Sequence, residues 1–265
     1  MHFALEHIEF LALSEHRVEV LQALLEQSAT RSELRDSLGI SKATLGRVLL
    51  GLEERHWIRK QRNVYEVTAT GELVATDFST LQRTVETAER LSRIVTHLPM
   101  DYLGFDLRAL ADARIVHTTP TNSTAPIDAA VERNRTTTSG RVLTQGFSTV
   151  ILEAVLSAVQ SGSSVELLVT TPDIDPFLED DSVGPLLRKL VAEPSGRLLW
   201  HPEAVPIAVG SHDEILTLYV VDAERTPVAL VETSADAVAD WFEETYRRYR
   251  EVATELTVED VSSVN

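Results

Sequence analysis

The chain has 265 residues, of which 43 % are hydrophobic, with 41 acidic and 24 basic side chains, a formal net charge of −17 and no cysteine. That length predicts one large or two ordinary domains, and the apolar content is far from that of a disordered chain. The missing cysteine excludes disulfides, thiolate catalysis and cysteine-ligated metals, and no apolar run approaches the ~18 residues of a membrane span.

The opening "MHFALEHIEF" has no basic start and no small-residue cleavage site, so a secretory signal is not expected and a cytoplasmic protein is. Lys42, Lys60 and Lys189 are the only lysines. Excess carboxylate with scarce lysine points to a salt-adapted, halophilic proteome, because salt at 1 M screens charge beyond about 3 Å. The charge is uneven: Met1 to His97 carries 12 basic and 14 acidic residues, and Leu98 to Asn265 carries 12 and 27. The near-neutral front is where a polyanion can approach.

In chain order, Ser14 is an expected N-cap ahead of "EHRVEVLQALLEQ", which sets Val18, Leu21, Leu24 and Leu25 on one helical face. "SAT" then breaks the pattern. Thr30 and Glu33 form a capping box before a short helix that buries Leu34 and Leu38, and Gly39 stops it in a left-handed conformation. Ser41 caps the next helix, with Leu45, Val48, Leu49 and Leu52 at i, i+3, i+4 and i+7. "WIRKQRNVYEVT" predicts a β-hairpin turning at "QRN". A long helix is expected from Thr70 to about Leu98, ended by Pro99, with a heptad-like stripe of Val74, Phe78, Leu81, Val85, Ala88 and Val95.

From Arg114 the texture changes to apolar β-branched runs: "RIVH", "RVLT", "VELLVT", "RLLW", "PIAVG", "ILTLYVV" and "PVALVET". Helices are expected at Ser148–Ser161, Ser182–Ala192 and Ser234–Leu256, the last striped with Val238, Trp241, Phe242, Thr245, Tyr249 and Val252 as core. Interleaved strands and helices predict a mixed α/β domain, partly antiparallel where "VGSHDEI" and "VVDAERTPV" read as hairpins. "TTPTNSTAP" is the clearest loop, and "TVEDVSSVN" reads as a frayed tail.

Three helices and a hairpin in this order predict a winged helix-turn-helix over residues 1–70, a connecting helix over 71–98 and a sensor domain over 99–265. The fold class expected is α+β. On a helical wheel the Leu45 stripe faces inward, and Ala43, Arg47 and Leu50 face outward. Arg47 is the expected base reader, its fork suited to guanine, and Ala43 suits a thymine methyl. Ser41, Lys42 and Thr44 lie at the positive end of the helix dipole, placed for phosphates. Gly46 costs about 1 kcal/mol against alanine, so a close approach by DNA or a neighbouring helix is expected there. Arg59, Lys60, Arg62 and Asn63 make a basic hairpin tip suited to double-stranded DNA.

The stretch "LEHIEFLALSEHRVEVLQALLE…TRSELRDSLGISKATLGRVLLGLEERHWI…YEVTATGELVA" resembles the winged-helix regulators abundant in halophilic archaea. "ALADARIVHTTPTNSTAPIDAAVER" and "VPIAVGSHDEILTLYVVDAERTPVALVETSADAVADWFEETYRRYREVA" resemble the sensor domain of the archaeal filamentation and methanogenesis regulators. The resemblance implies a transcriptional regulator with an N-terminal DNA-binding domain and a C-terminal ligand-responsive domain. It implies DNA contact at Ser41, Lys42, Thr44 and Arg47 and a wing role for Arg59 to Asn63, and leaves the effector unnamed.

Regulators of this kind read paired half-sites as homodimers. Val74, Phe78, Leu81 and Val85 form the expected seam, in competition with packing of that stripe on the chain's own domains. Leu5, Ile8, Leu11 and Ala12 are a second apolar candidate. Thr118, Thr119, Arg141, Thr170, Trp200, His201, His212 and Tyr219 are candidate effector ligands, with Gln145, Thr171, Glu203 and Asp213 among them, several at strand ends. A Gly-rich phosphate loop, a nucleophile elbow and HExxH are all missing, so no enzyme and no metal site is expected, and the sequence does not say whether a cofactor is bound. The alternatives are a protein-interaction winged helix docking on transcription machinery and a small-molecule enzyme with an accessory domain.

Overall fold

The computed structural model describes residues 2–262, with side chains from residue 4 onward. The chain forms two compact units, Met1–Glu86 and Thr87–Asn265.

The first unit contains α1 (His2–Ala12), α2 (Glu15–Glu26), β1 (Ala29–Thr30), α3 (Arg31–Leu38), α4 (Lys42–Glu54), β2 (Ile58–Gln61), β3 (Val64–Val67) and most of α5 (Ala69–Leu91). The order from α2 to β3, with sheet order β1-β3-β2, is that of a winged helix. "SAT" is therefore more than a break. Ala29 and Thr30 pair with Tyr65 and Val64, tying the link between α2 and α3 to the wing. Thr30 then begins α3. Its hydroxyl accepts from the Glu33 amide at 3.3 Å, and the Glu33 carboxylate accepts from the Thr30 amide at 2.7 Å. Gly39 has φ 65°, and the Ser41 hydroxyl accepts from the Thr44 amide at 3.2 Å. Ser14 sits at the N-cap of α2, but its side chain makes no capping bond.

The core of this unit gathers Leu21, Leu24, Leu34, Leu45, Val48, Leu49, Leu52, Trp57 and Tyr65. Phe10 of α1 lies between the guanidiniums of Arg17 and Arg55, edge-on to Trp57. It reaches α4 at Gly51, where an added Cβ would stand 2.9 Å from its ring. Leu11, expected to face outward, is buried here, and Leu5 and Ile8 are exposed.

Thr68 prepares α5. Its hydroxyl accepts from the Gly71 amide at 3.1 Å and donates to the His56 carbonyl at 2.7 Å. Gly71 is pressed against the Trp57 carbonyl, with no room for a Cβ. The helix stops at Leu91, seven residues before the expected Leu98, and a 3₁₀ turn spans Val95–His97. Pro99 is not what ends it. Arg90 donates to the carbonyls of Ala111 and Ala113, and Leu91, Ile94 and Leu98 pack into the second unit's core. Tertiary contacts end the helix where no breaker residue stands.

The second unit is built on an eight-stranded sheet of order β11-β7-β6-β5-β8-β9-β10-β4. Its strands are β4 (Arg114–His117), β5 (Ser139–Thr144), β6 (Ser164–Thr170), β7 (Gly196–His201), β8 (Ala208–His212), β9 (Ile215–Val221), β10 (Pro227–Thr233) and β11 (Thr254–Glu255). β5, β6 and β7 run parallel, and the remaining pairings are antiparallel. Between them lie α6 (Ala125–Thr136), α7 (Thr149–Gln160), α8 (Asp175–Glu179), α9 (Gly184–Ala192), α10 (Asp236–Arg250) and α11 (Val258–Ser262). Strand alternation sends Leu143, Leu168 and Leu199 to the α10 core, and Val142, Leu167 and Leu198 to the core of α7 and α9.

Two expectations for this unit change, and one helix is added. α6 went unread, since "DAAVERNRT" offers few large apolar residues for a stripe. The final long helix ends at Arg250 rather than Leu256, and Val252 is exposed while the rest of its stripe is buried. Thr254 and Glu255 instead add an edge strand to Trp200 and Leu199. The tail is not frayed through 262, because Leu256 and the fully buried Val261 pack against α9. Its last residues, 263–265, lie outside the described residues.

Gly71→Ala should destabilise the first unit by about 1–3 kcal/mol, the usual cost of overpacking, because the obstacle is backbone rather than a flexible side chain. Urea unfolding of the variant would measure it.

Candidate nucleic-acid interface and ligand cavity

Burial of Leu45, Val48, Leu49 and Leu52 sets the outward face of α4. Lys42, Ala43, Arg47 and Leu50 are exposed there, and Arg47 makes no hydrogen bond or ion pair among the described residues. Ser41 and Thr44 are less free, since the Ser41 hydroxyl also donates to the Thr44 hydroxyl at 3.0 Å. Gly46 has a specific neighbour. The Arg31 guanidinium of α3 lies over it, where an added Cβ would displace it, and donates to the Lys42 carbonyl at 2.8 Å. Arg31 thus adds a cation beside α4, and the helical glycine was its only trace in the sequence.

The wing cations are unequal. Arg59 sits across from Glu66 in register and donates to its carboxylate at 2.6 Å. Lys60 lies over the Tyr65 ring at 5.4 Å. Arg62, at φ 57°, and Asn63 turn the hairpin with exposed side chains. Arg62 is the unpaired arginine of the tip, and Arg59 is half-neutralised.

The expected dimer stripe splits. Val74 and Phe78 pack on the first unit's own core. Leu81 and Val85 are 47 % and 57 % exposed.

In the second unit, α6 and α7 stand off the sheet and leave a cavity of about 1110 Å³ over β5, β8, β9 and β10. Of the expected effector ligands, only His212 and Tyr219 line it, joined by Gln145 and Thr171. The others have structural partners. Arg141 points to the opposite face, bound to Glu243 at 2.9 Å and over Phe242 and Tyr246. The Thr170 hydroxyl donates to the Thr144 carbonyl and accepts from the Val205 amide. Trp200 donates to the Thr171 carbonyl, and His201 accepts from the Glu203 amide and meets the Tyr249 ring edge-on. Thr118 and Thr119 bond the Val228 carbonyl and a local turn with Asn122. Asp213 caps the turn before β5 through Thr137, Thr138 and Ser139.

His212 is 4 % exposed and makes no hydrogen bond among the described residues. Burial, assisted by nearby Arg133, pushes its pKa down to about 4, against weaker pulls from Asp213 and Glu232. The imidazole is therefore neutral near pH 7. Tyr219 also has no hydrogen-bond partner among the described residues, and burial pushes its phenol up to about 12. Arg133 is engaged: it donates to Glu232 at 2.9 Å, as Arg114 also does. Burial opposes ionisation of Glu232, but these two arginines hold its pKa below the usual carboxylate value. Ile127 of α6 and Ile151 of α7 complete the apolar wall; sequence reading missed it along with α6.

No helix among the described residues is long and apolar enough to cross a membrane. Nor does any group of three or more His, Asp or Glu among them converge as a metal site.

Residues 5–90 match the family model described as the HVO_A0261 N-terminal domain, and residues 123–252 match that of the methanogenesis regulatory protein FilR1, middle domain. No curated protein matches the chain. Among solved structures, it is similar to TrmBL2, described as an archaeal chromatin protein with a novel mode of DNA binding. Identity is 16 % over 93 % of this chain and 98 % of that one, with a TM-score of 0.40. Polyphosphate kinase from Porphyromonas gingivalis matches at 16 % identity over 52 % of this chain and 26 % of its own, with a TM-score of 0.39. Phosphatidylserine synthase from Haemophilus influenzae matches at 12 % over 57 % and 40 %, with a TM-score of 0.38. Likenesses this distant decide no function. The chain carries a winged-helix domain and an α/β domain related to the archaeal FilR1 regulatory family.

His212 gives a pH dependence of definite sign. Its folded pKa is depressed, so the unfolded chain takes up the proton first and stability falls as pH drops from about 6.5 towards about 4. The full effect is about 3 kcal/mol. His212→Phe should remove that part of the slope, read as the difference between wild-type and variant denaturation curves across this range.

Proposed function

We propose that this chain is a cytoplasmic, DNA-binding transcriptional regulator that acts as a homodimer and responds to a small molecule held in its α/β unit. The observation that carries the proposal is the unpaired Arg47 on the outward face of α4, flanked by Lys42, with Arg62 at the wing tip. An α4 laid in the major groove would bring the Arg47 fork to a guanine edge and Ala43 to a thymine methyl. Ser41, Lys42 and Thr44 would meet phosphate at the helix N-terminus, Arg31 would add a further phosphate contact, and Lys60, Arg62 and Asn63 would hold the neighbouring backbone.

The exposed Leu81 and Val85, with Leu5 and Ile8, supply apolar surface for a second copy. Two copies would read two half-sites, with the spacing of their α4 helices fixed by the dimer. An effector in the cavity would favour one spacing over another, passed along α5, the helix within which the two units meet in sequence.

Arg47→Ala should abolish preference for one sequence over another while leaving general binding largely intact. Arg62→Ala should weaken binding to all sequences alike, and Arg59→Ala should do so less, because Glu66 already holds that guanidinium. Band-shift titrations on specific and scrambled duplexes measure all three. If both arginine variants at 47 and 62 bind like wild type, the winged helix is instead a protein-docking module.

A chain of charge −17 near DNA has to recruit cations, so its affinity should fall less steeply with KCl than the usual slope of about −0.9 per phosphate contact. Anisotropy titrations over a range of KCl would give that slope directly.

A further inference from the structure

The cavity has an internal order that specifies its occupant. β8 and β9 run antiparallel beneath it, with Tyr219 opposite Ala208 and His212 opposite Ile215. Ala208 and His212 are four residues apart on one strand, so the two polar side chains stand about 13 Å apart along the cavity floor. Val142, Ile151 and Leu230 line the space as well, and they are apolar. The His212 end is closed and buried. The Tyr219 end lies towards the β9–β10 turn, where the Arg225 guanidinium donates to the Gln145 amide oxygen at 2.8 Å and bridges to the loop after β5.

No uncommitted charge stands at the closed end. Arg133 is held by Glu232, and Asn134 donates to its own helix at the Ala130 carbonyl. Thr217, also in the lining, donates to the Gly210 carbonyl at 3.4 Å. That leaves the His212 ring, without a hydrogen-bond partner among the described residues, as the polar group facing the space. A buried polar group left unpaired is costly, and a full charge brought beside it without a counter-ion costs far more.

We propose that the cavity binds an elongated, uncharged, largely apolar molecule carrying a hydroxyl or carbonyl oxygen at its inner end, which hydrogen-bonds the His212 ring. The apolar body lies along β8 and β9, and its outer end reaches the Tyr219 hydroxyl under the Arg225–Gln145 bridge. Neutral His212 offers one donor and one acceptor, so it serves either oxygen type. This rests on the regulator reading only in placing the effector in this unit; the ligand class follows from the cavity itself.

The test uses the full chain and an uncharged fluorescent probe, N-phenyl-1-naphthylamine, displaced by three molecules of equal chain length: 1-decanol, decanoate and decylammonium. Wild type should brighten the probe, and 1-decanol should displace it at a concentration at least about tenfold below that of either ion. His212→Phe should raise the 1-decanol requirement about tenfold, the worth of one buried hydrogen bond. Ile151→Trp should fill the space and abolish probe binding. The inference is overturned if decanoate or decylammonium competes as well as 1-decanol, a comparison that needs no variant. It is equally overturned if wild type does not bind the probe, or if Ile151→Trp binds it like wild type. A band shift repeated with 1-decanol separates the two readings. Displacement with unchanged DNA affinity supports the ligand class and removes the sensor role.

Discussion

Leu45, Val48, Leu49 and Leu52 occupy one face of α4 and are buried among α2, α3 and the wing. Each contributes about 1.5–3 kcal/mol when removed from water. Turning the helix by one residue would expose part of this stripe and bury the Arg47 guanidinium, adding a large desolvation cost. The outward direction of Arg47 is therefore fixed by core packing. The ends of the helix are fixed as firmly. Gly39 turns the chain in the left-handed region, Ser41 caps the first turn, and Phe10 seats on Gly51 near the last. Arg31 over Gly46 ties α3 to α4 across the turn. The exposed face is thus a by-product of how completely the other face is used.

Electrostatics divides the molecule along the sequence. The first 97 residues are close to neutral, and the remainder carries most of the charge. Within the α/β unit the buried carboxylates have partners. Glu166 meets Arg197, Arg250 and Tyr246, and Glu232 meets Arg114 and Arg133. Exposed pairs such as Arg59–Glu66 contribute little to stability but set how much cation a surface offers. The wing illustrates this: four polar residues in sequence become one paired arginine, one lysine over a ring, and a free Arg62–Asn63 tip.

The sequence made legible what local chemistry encodes. The Thr30–Glu33 capping box, the Gly39 turn, the α4 stripe and the hairpin need only neighbours a few residues away, and they appear where expected. Strands β5, β6 and β7 were readable because they are buried on both faces. What stayed hidden depends on distant partners. β1 is two residues whose meaning lies in Tyr65 and Val64. α6 buries Ala130 and Val131 rather than a row of leucines. The end of α5 answers to Ala111 and Ala113. The same holds for the cavity: residues chosen at strand ends, such as Arg141 and Thr170, alternate to the other face or satisfy backbone groups. Only His212 and Tyr219 combine the right face with freedom from partners.

The two candidate sites differ in the physics they rely on, and that difference suits a haloarchaeal-type regulator. In concentrated salt, attraction between exposed charges fades within a few ångströms, about 3 Å at 1 M. On the proposed reading, DNA recognition under those conditions would lean on short-range geometry, the forked donors of Arg47 against a base edge, more than on a basic field. A ligand held by surface charge would face the same screening. Burial of an apolar body against Val142, Ile151 and Leu230, finished by one neutral hydrogen bond to His212, would escape it, because such binding rests on no exposed charge and apolar association is strengthened by excluded salts. A neutral interior site within an acidic surface can therefore keep its affinity as ionic strength varies, while the proposed DNA contact on the first unit would feel that variation directly.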